Sequence, residues 1–206
     1  DREATVRRLL LLLIVLCVTG VGAVALIGHE QASTGLKSTG VPALLKGIPQ
    51  DGPHLGREQA PVEVLEFIDL KCPACQNTIQ QDTKAWIDRY VRPGRVQWTL
   101  APIALLGKDS IPPTLEAYQA SQSDKMFQYV LGYYSGDEAQ AIRLSGLRLG
   151  SNFSAGALRD FRAASRLAKQ WKVEATPTVF IHKPSGWLRL KKNHFSLADI
   201  ESAIKG

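Results

Sequence analysis

Cys72-Pro73-Ala74-Cys75 sets two thiols three residues apart, and their flanks decide what they can do. Upstream, Val62 to Leu70 (VEVLEFIDL) is apolar and β-branched, which predicts a buried strand. Downstream, QNTIQQDTKAWIDRYV runs without Gly or Pro as far as Arg92-Pro93-Gly94, which predicts a helix with a defined stop. The cysteines therefore fall where a strand ends and a helix begins, Cys72 at the helix N-terminus and Cys75 one turn inside. A sulfur at that N-terminus faces unpaired main-chain N–H groups and the positive end of the helix dipole. Both favour a nucleophilic thiolate. Such a pair can close a small disulfide ring and open it again.

Other uses of the pair fit less well. A zinc site needs two further ligands, and the remaining cysteine, Cys17, lies in a membrane-length apolar run, while His182 and His194 have no metal-ligand spacing. Covalent haem attachment needs a histidine directly after the second cysteine, where this chain has Gln76. A static disulfide across the first turn of a helix is strained and easily reduced. Redox chemistry is the use that the spacing favours, with no metal and no cofactor beyond the cysteine pair.

Far downstream, Ala175-Thr176-Pro177-Thr178-Val179-Phe180-Ile181 puts a proline at the head of an apolar strand. Lys183-Pro184-Ser185-Gly186 predicts a turn, and Trp187 to Leu190 a returning strand. A last helix is expected from Ser196, a good N-cap, with Ile200, Ala203 and Ile204 on one face. Alone, Pro177 reads as a trans proline opening an edge strand.

Taken as a set, the strand, CPAC at a helix start, helical stretch and TPT-strand-hairpin-strand-helix resemble the thioredoxin fold. More narrowly they resemble the DsbA-like thiol-disulfide oxidoreductases of bacterial envelopes. The segment Leu44 to Phe67 is similar to the lead-in of that family's membrane-anchored members. Glu66, six residues before Cys72, stands where the family carries a carboxylate beneath its active site. About a hundred residues separate CPAC from Thr176-Pro177, which matches the family's helical insertion. The resemblance covers roughly Leu44 to Gly206 and implies an α/β thioredoxin-like fold with a helical insertion.

The resemblance also implies roles. Cys72 would be the exposed nucleophile that forms a mixed disulfide with a client protein, and Cys75, more buried, would resolve it. Pro177 would be cis, setting Thr176 main-chain groups beside the cysteines, where an extended client could bond to them as an added strand. Pro73 and Ala74, between the cysteines, would join Thr176 in contacting the client. Glu66 would move the proton as Cys75 ionises. Alternation supports burial of Glu66, since it shares a face with Val62, Val64 and Ile68, while Glu63, Leu65 and Phe67 share the other.

The chain departs from the family's strong oxidants at Ala74, where they carry a thiolate-stabilising His. Lys71, just before Cys72, reads chiefly as a solvated lysine. Thr176 resembles the isomerase and reductant branch. The direction of electron flow stays open.

The chain has 206 residues, 45% of them hydrophobic, which suits one domain plus an appendage. Leu9 to Gly28 is twenty residues without a charge. As a helix it would span about 30 Å, the thickness of a bilayer core, and it exceeds the apolar core of a cleaved signal peptide. A single N-terminal transmembrane helix is therefore expected. Leu16 before Cys17 argues against lipidation there. Arg2, Arg7 and Arg8 precede the span, so the N-terminus is expected in the cytoplasm and the rest outside, in an oxidising compartment such as a periplasm.

The expected organisation is a cytoplasmic tip and anchor over 1–28, a tether and lead-in over 29–60, and a thioredoxin-like domain over 61–206. A second strand is expected near Arg95 to Pro102, and the insertion over about 113–171, with Leu115, Tyr118, Met126, Phe127, Val130 and Leu131 at helical spacing. Breaks are expected near Ser135-Gly136 and Leu149 to Asn152. The net charge of +6 invites a nucleic-acid reading. The basic residues, among them Arg143, Arg159, Arg162, Arg166, Lys191 and Lys192, are scattered and carry no nucleic-acid motif, so a solvated face is expected. GxSxG, HExxH and P-loop patterns are absent.

The sequence thus leads to a membrane-anchored thiol-disulfide oxidoreductase of envelope proteins. Its partners would be cysteine-containing clients, a membrane redox protein that reoxidises or reduces it, and the bilayer through Leu9 to Gly28. Two alternatives stay open: a dedicated reductant for cytochrome or metallocentre assembly, and an accessory subunit of a larger membrane complex that uses the fold as a structural module.

Overall fold

The computed structural model describes residues 36–37, 40–148, 152–190 and 197–205. The expected anchor Leu9 to Gly28, its Arg2, Arg7 and Arg8 flank and Cys17 lie outside the described residues, as do Lys191, Lys192, His194 and Ser196. Among the described residues no helix is long and apolar enough to cross a membrane.

Helix α1 (Val41–Leu45) leads into two short strands, β1 (Gln50–Asp51) and β2 (His54–Leu55). Strand β3 (Val62–Ile68), helix α2 (Pro73–Trp86) and strand β4 (Val96–Pro102) follow as a β-α-β unit with β3 and β4 parallel, Val62 opposite Val96 and Ile68 opposite Pro102. The insertion is α3 (Ile111–Ser121), α4 (Met126–Ser135), α5 (Glu138–Ser145) and α6 (Ala155–Gln170). The chain returns as β5 (Thr178–Lys183), β6 (Gly186–Arg189) and α7 (Leu197–Lys205). The sheet order is β1-β2-β4-β3-β5-β6, with β5 antiparallel to both β3 and β6. This is the architecture that the resemblance implies.

Strand β3 sits at the centre and is buried on both faces. Val62, Val64 and Ile68 join Trp98, Leu100, Val179 and Ile181 under α2 and the insertion helices. Leu65 and Phe67 point the other way, against Ala168, Val173 and Phe180. On that second face Phe67, Trp171 and Phe180 meet edge to face, with ring centroids 4.5–6.3 Å apart. Leu115, Tyr118, Met126, Phe127, Val130 and Leu131 are all buried, as their helical spacing predicts. In α4, Gly132 lets α5 approach: a Cβ there would lie 3.0 Å from the Ala141 Cα. The basic side chains at Arg143, Arg159, Arg162 and Arg166 are exposed.

Three boundaries differ from the sequence reading. The expected strand to Leu70 stops at Ile68, because Asp69 turns the chain: its carbonyl accepts the Cys72 N–H at 2.8 Å and its side chain the Lys71 N–H at 2.9 Å. The helix expected to run unbroken to Val91 ends at Trp86, and its final turn widens to π geometry over Ile87–Val91. The lead-in is not a tether from residue 41 onward. Val41, Leu44, Leu45 and Leu55 are buried in the main core, and β2 pairs with β4, His54 opposite Thr99. The dense Gly and Pro of this stretch masked a helical i, i+3, i+4 apolar set at Val41, Leu44 and Leu45.

Candidate active site at the cysteine turn

Cys72 is the N-cap of α2, in extended backbone conformation, with Pro73 at the first helical position. Proline is favoured there, because its missing N–H would have had no partner in any case. The Cys72 sulfur accepts the Cys75 N–H at 3.5 Å, and the Cys72 carbonyl accepts the Gln76 N–H at 3.1 Å. Both thiols are free. Cys75 is fully buried one turn inside the helix. Burial pushes its thiol well above the ordinary thiol range, and the main-chain N–H of Asp69 pulls the other way.

Thr176-Pro177 is brought to the cysteines across the sheet. The bond between them is cis, and the Cys72 thiol donates to the Thr176 carbonyl at 3.2 Å. That contact corrects one expectation. Cys72 is the more accessible cysteine, yet it is only 7% exposed rather than open to solvent, with its thiol against the Thr176 carbonyl. Pro73 is exposed and Ala74 half-buried. A groove of about 390 Å³ runs beside the sulfur, lined among others by Lys71, Cys72, Pro73, Gln76, Tyr133 and Asp137. Pro73 lines it; Ala74 and Thr176 do not. The Lys71 ammonium sits over the Tyr133 ring, 5.6 Å from its centroid, so it is turned toward the insertion.

Glu66 projects from β3 into the core on the α2 face and is 5% exposed. Its Oε2 accepts the Trp98 indole N–H at 3.1 Å, while Oε1 has no hydrogen-bond partner. Burial raises its carboxyl from 4.5 to about 7, the Trp98 bond opposing the rise. A cavity of about 30 Å³ adjoins it, bounded by Thr78, Ile79, Asp82, Trp86, Trp98 and Ile200. The Thr78 hydroxyl is a second buried polar atom without a partner. The volume suffices for a water. Glu66 makes no direct hydrogen bond to Cys75.

Asp69, Gln76, Gln80, Trp98 and Tyr134 also build the site; sequence reasoning gave none of them a role there, Gln76 serving only to exclude haem and Tyr134 reading as a core or helix-packing residue. Asp69 is fully buried, and its carboxylate accepts three main-chain N–H groups: Lys71 at 2.9 Å, and Leu105 and Leu106 both at 2.8 Å. The Tyr134 hydroxyl donates to the Asp69 carbonyl at 2.8 Å. Gln76 and Gln80 donate from α2 to the Tyr134 carbonyl at 3.1 and 2.6 Å. An Asp closing an apolar strand was the available signal for Asp69. His182, weighed above as a metal ligand, instead stacks on Trp187 with ring centroids 4.7 Å apart.

The β-α-β and β-β-α halves, with a cysteine pair capping the helix between β3 and β4, define a thioredoxin-type α/β protein. Residues 49–185 match the family model described as thioredoxin, and the chain belongs to that family. Over 56 residues it is 39% identical to the probable disulfide bond formation protein D of Bacillus cereus, and equally to that of Bacillus anthracis. These matches span 27% of this chain and 26% of the length of each relative. The fold is similar to that of oxidised BdbD from Bacillus subtilis, with a TM-score of 0.53 and 19% identity, over 75% of this chain and 91% of that one. It is likewise similar to Pseudomonas aeruginosa DsbA2, with a TM-score of 0.57 and 18% identity, over 78% and 96%. For the catalytic domain of Proteus mirabilis ScsC the TM-score is 0.60 at 14% identity, over 82% and 97%.

Proposed function

We propose that this chain is a membrane-anchored thiol-disulfide oxidoreductase that acts on cysteine-containing envelope proteins through Cys72 and Cys75. The observation that carries the reading is the cysteine turn itself. A nucleophile-type sulfur caps α2, faces the Thr176 carbonyl beside Pro177, and has a second, wholly buried thiol one turn behind it. The Bacillus relatives named for disulfide bond formation support it, as does the charge-free span Leu9 to Gly28, which supplies the anchor.

In the oxidising direction a client thiolate attacks the Cys72 sulfur of the Cys72–Cys75 disulfide. That bond breaks, Cys75 leaves as a thiolate, and a client–Cys72 disulfide forms. A second client thiolate attacks the client sulfur, and Cys72 leaves with the electron pair. The client has lost two electrons and the cysteine pair has gained them. Reduction of a client runs the same steps backwards. A membrane redox protein resets the pair in either case.

A Cys75 thiolate is costly in its buried setting, so a proton must reach it as it leaves. Glu66, with a carboxyl near 7, exchanges protons in the neutral range and is the group that would supply that proton. Pro73 borders the groove that would receive the client, and Thr176, outside that lining, would meet it only where it reaches past the Cys72 sulfur.

Exchange between glutathione disulfide and a reduced test protein, catalysed by the full chain, tests the reading. Activity lost in Cys72→Ser supports it, and equal activity in that variant refutes it.

A further inference from the structure

Asp69 is the one buried carboxylate at the cysteine turn that the exchange steps above leave without a task. Its surroundings are unlike those of Glu66. Glu66 has one partner and an unpartnered oxygen, whereas both Asp69 carboxylate oxygens are engaged. Oδ1 takes the N–H of Lys71, the residue before Cys72, and Oδ2 takes the N–H groups of Leu105 and Leu106, just beyond β4. The Asp69 carbonyl is engaged as well, by the N–H of Cys72 and the hydroxyl of Tyr134. One residue thus joins three pieces of chain: the cysteine turn, the segment after β4, and the insertion helix α4.

We propose that Asp69 is a positioning residue for thiol-disulfide exchange, its carboxylate fixing the turn that aims the Cys72 sulfur at the Thr176 carbonyl. The proposal rests on Cys72 being the nucleophile. Lys71 and Pro73 are exposed, Pro73 has no N–H, and the Lys71 ammonium faces Tyr133. The carboxylate bridges 36 and 37 residues of sequence to Leu105 and Leu106, so it ties the turn to the frame of the sheet rather than to its own strand. Reacting sulfurs must meet in line, and a misplacement of about 1 Å can cost on the order of a hundredfold in rate.

The test is Asp69→Asn in the full 206-residue chain. The amide keeps one acceptor and sets a donor where the second oxygen stood, against main-chain donors. Tyr129→Phe, which removes the buried hydroxyl bonded to Glu116 in the insertion, serves as a control for general destabilisation. We expect the rate constant of exchange to fall at least tenfold in Asp69→Asn. Its ratio of Cys72 to Cys75 alkylation should fall toward one, while Tyr129→Phe keeps both wild-type values below its melting temperature. An Asp69→Asn protein that is folded and unchanged in rate and ratio, or that merely matches Tyr129→Phe, overturns the proposal. If Asp69→Asn does not fold, Leu106→Pro decides, since it deletes one of the three donors and leaves Asp69 intact. A lowered rate and ratio support the assignment, and wild-type values refute it. A wild-type chain without Cys72-dependent exchange would refute the functional reading instead, and the alkylation ratio would still judge Asp69.

Discussion

Replacing Glu66 by Gln keeps the side chain's size and its bond from the Trp98 indole while removing an ionisable group from the core. In the folded protein burial holds this carboxyl near 7, against 4.5 for a free side chain. Below the lower value both states carry the proton, and ionisation costs nothing. Between the two values the unfolded chain releases the proton and the folded protein retains it, so stability falls as pH rises. Above 7 the loss is complete, and the rise from 4.5 to about 7 corresponds to about 3 kcal/mol. Glu66→Gln should therefore match the reduced wild type near pH 4 and exceed it by about 3 kcal/mol at pH 8. For a chain of this size that is a gain of roughly 6–12 °C in melting temperature. Thermal or urea unfolding of the reduced proteins from pH 4 to 8 measures it. Exchange should slow in the same variant, since Gln cannot carry the proton to or from Cys75. A stability difference that is flat across that range would refute the burial argument. A pH-dependent gain with undiminished exchange would leave Glu66 a buried charge with no catalytic task.

Cys75→Ser should trap mixed disulfides between Cys72 and client proteins, visible as reductant-sensitive adducts, because the resolving thiol is gone; Cys72→Ser should trap none. Iodoacetamide should label Cys72 faster than Cys75 in the reduced protein, given 7% against 0% exposure, and the reverse order would overturn the assignment of roles. Ala74→His should make the disulfide more oxidising, as read by equilibration with glutathione. One contact to the thiolate of ~1–3 kcal/mol is worth tens of millivolts in a two-electron couple. An unchanged potential would move control to Lys71, Thr176 or the fold around them. A membrane-impermeant thiol reagent should label Cys72 in spheroplasts, and protection until the membrane is opened would reverse the expected topology.

Much of the core and the cysteine turn was legible because it rests on local patterns. The run Val62 to Ile68 reads as a strand by composition, and the absence of breakers from Gln76 to Val91 reads as a helix, so the cysteines fall between them without any tertiary knowledge. Alternation placed Glu66 on the face of Val62, Val64 and Ile68, which is the face packed under α2. The envelope of the insertion was also legible, although the break after Ser121 was not, since Gln122 to Lys125 holds no Gly or Pro. What stayed hidden depends on contacts distant in sequence. The bonds from Leu105 and Leu106 to Asp69 are of that kind, as is the Trp98 bond to Glu66, which the parallel register of β3 and β4 allows. The depth of Cys72 was missed for the same reason, since its thiol meets the Thr176 carbonyl, 104 residues away.

The insertion does more than cover the sheet. Tyr134 sits at the end of α4 and is gripped twice, Gln76 and Gln80 donating to its carbonyl while its hydroxyl reaches the Asp69 carbonyl. Tyr133, next to it, takes the Lys71 ammonium over its ring. Gln76 and Gln80 lie one turn apart on α2, so the helix capped by Cys72 is docked against the insertion along its first two turns. A shift of α4 would strain the Gln76 and Gln80 bonds and pull on the carbonyl that holds the Cys72 N–H. The groove beside Cys72 is walled on one side by the turn and on the other by Tyr133 and Asp137. A client seated there would touch residues of the cysteine turn and of the insertion together. Tyr134 lines that groove and, through its hydroxyl on the Asp69 carbonyl, also braces the turn that holds Cys72.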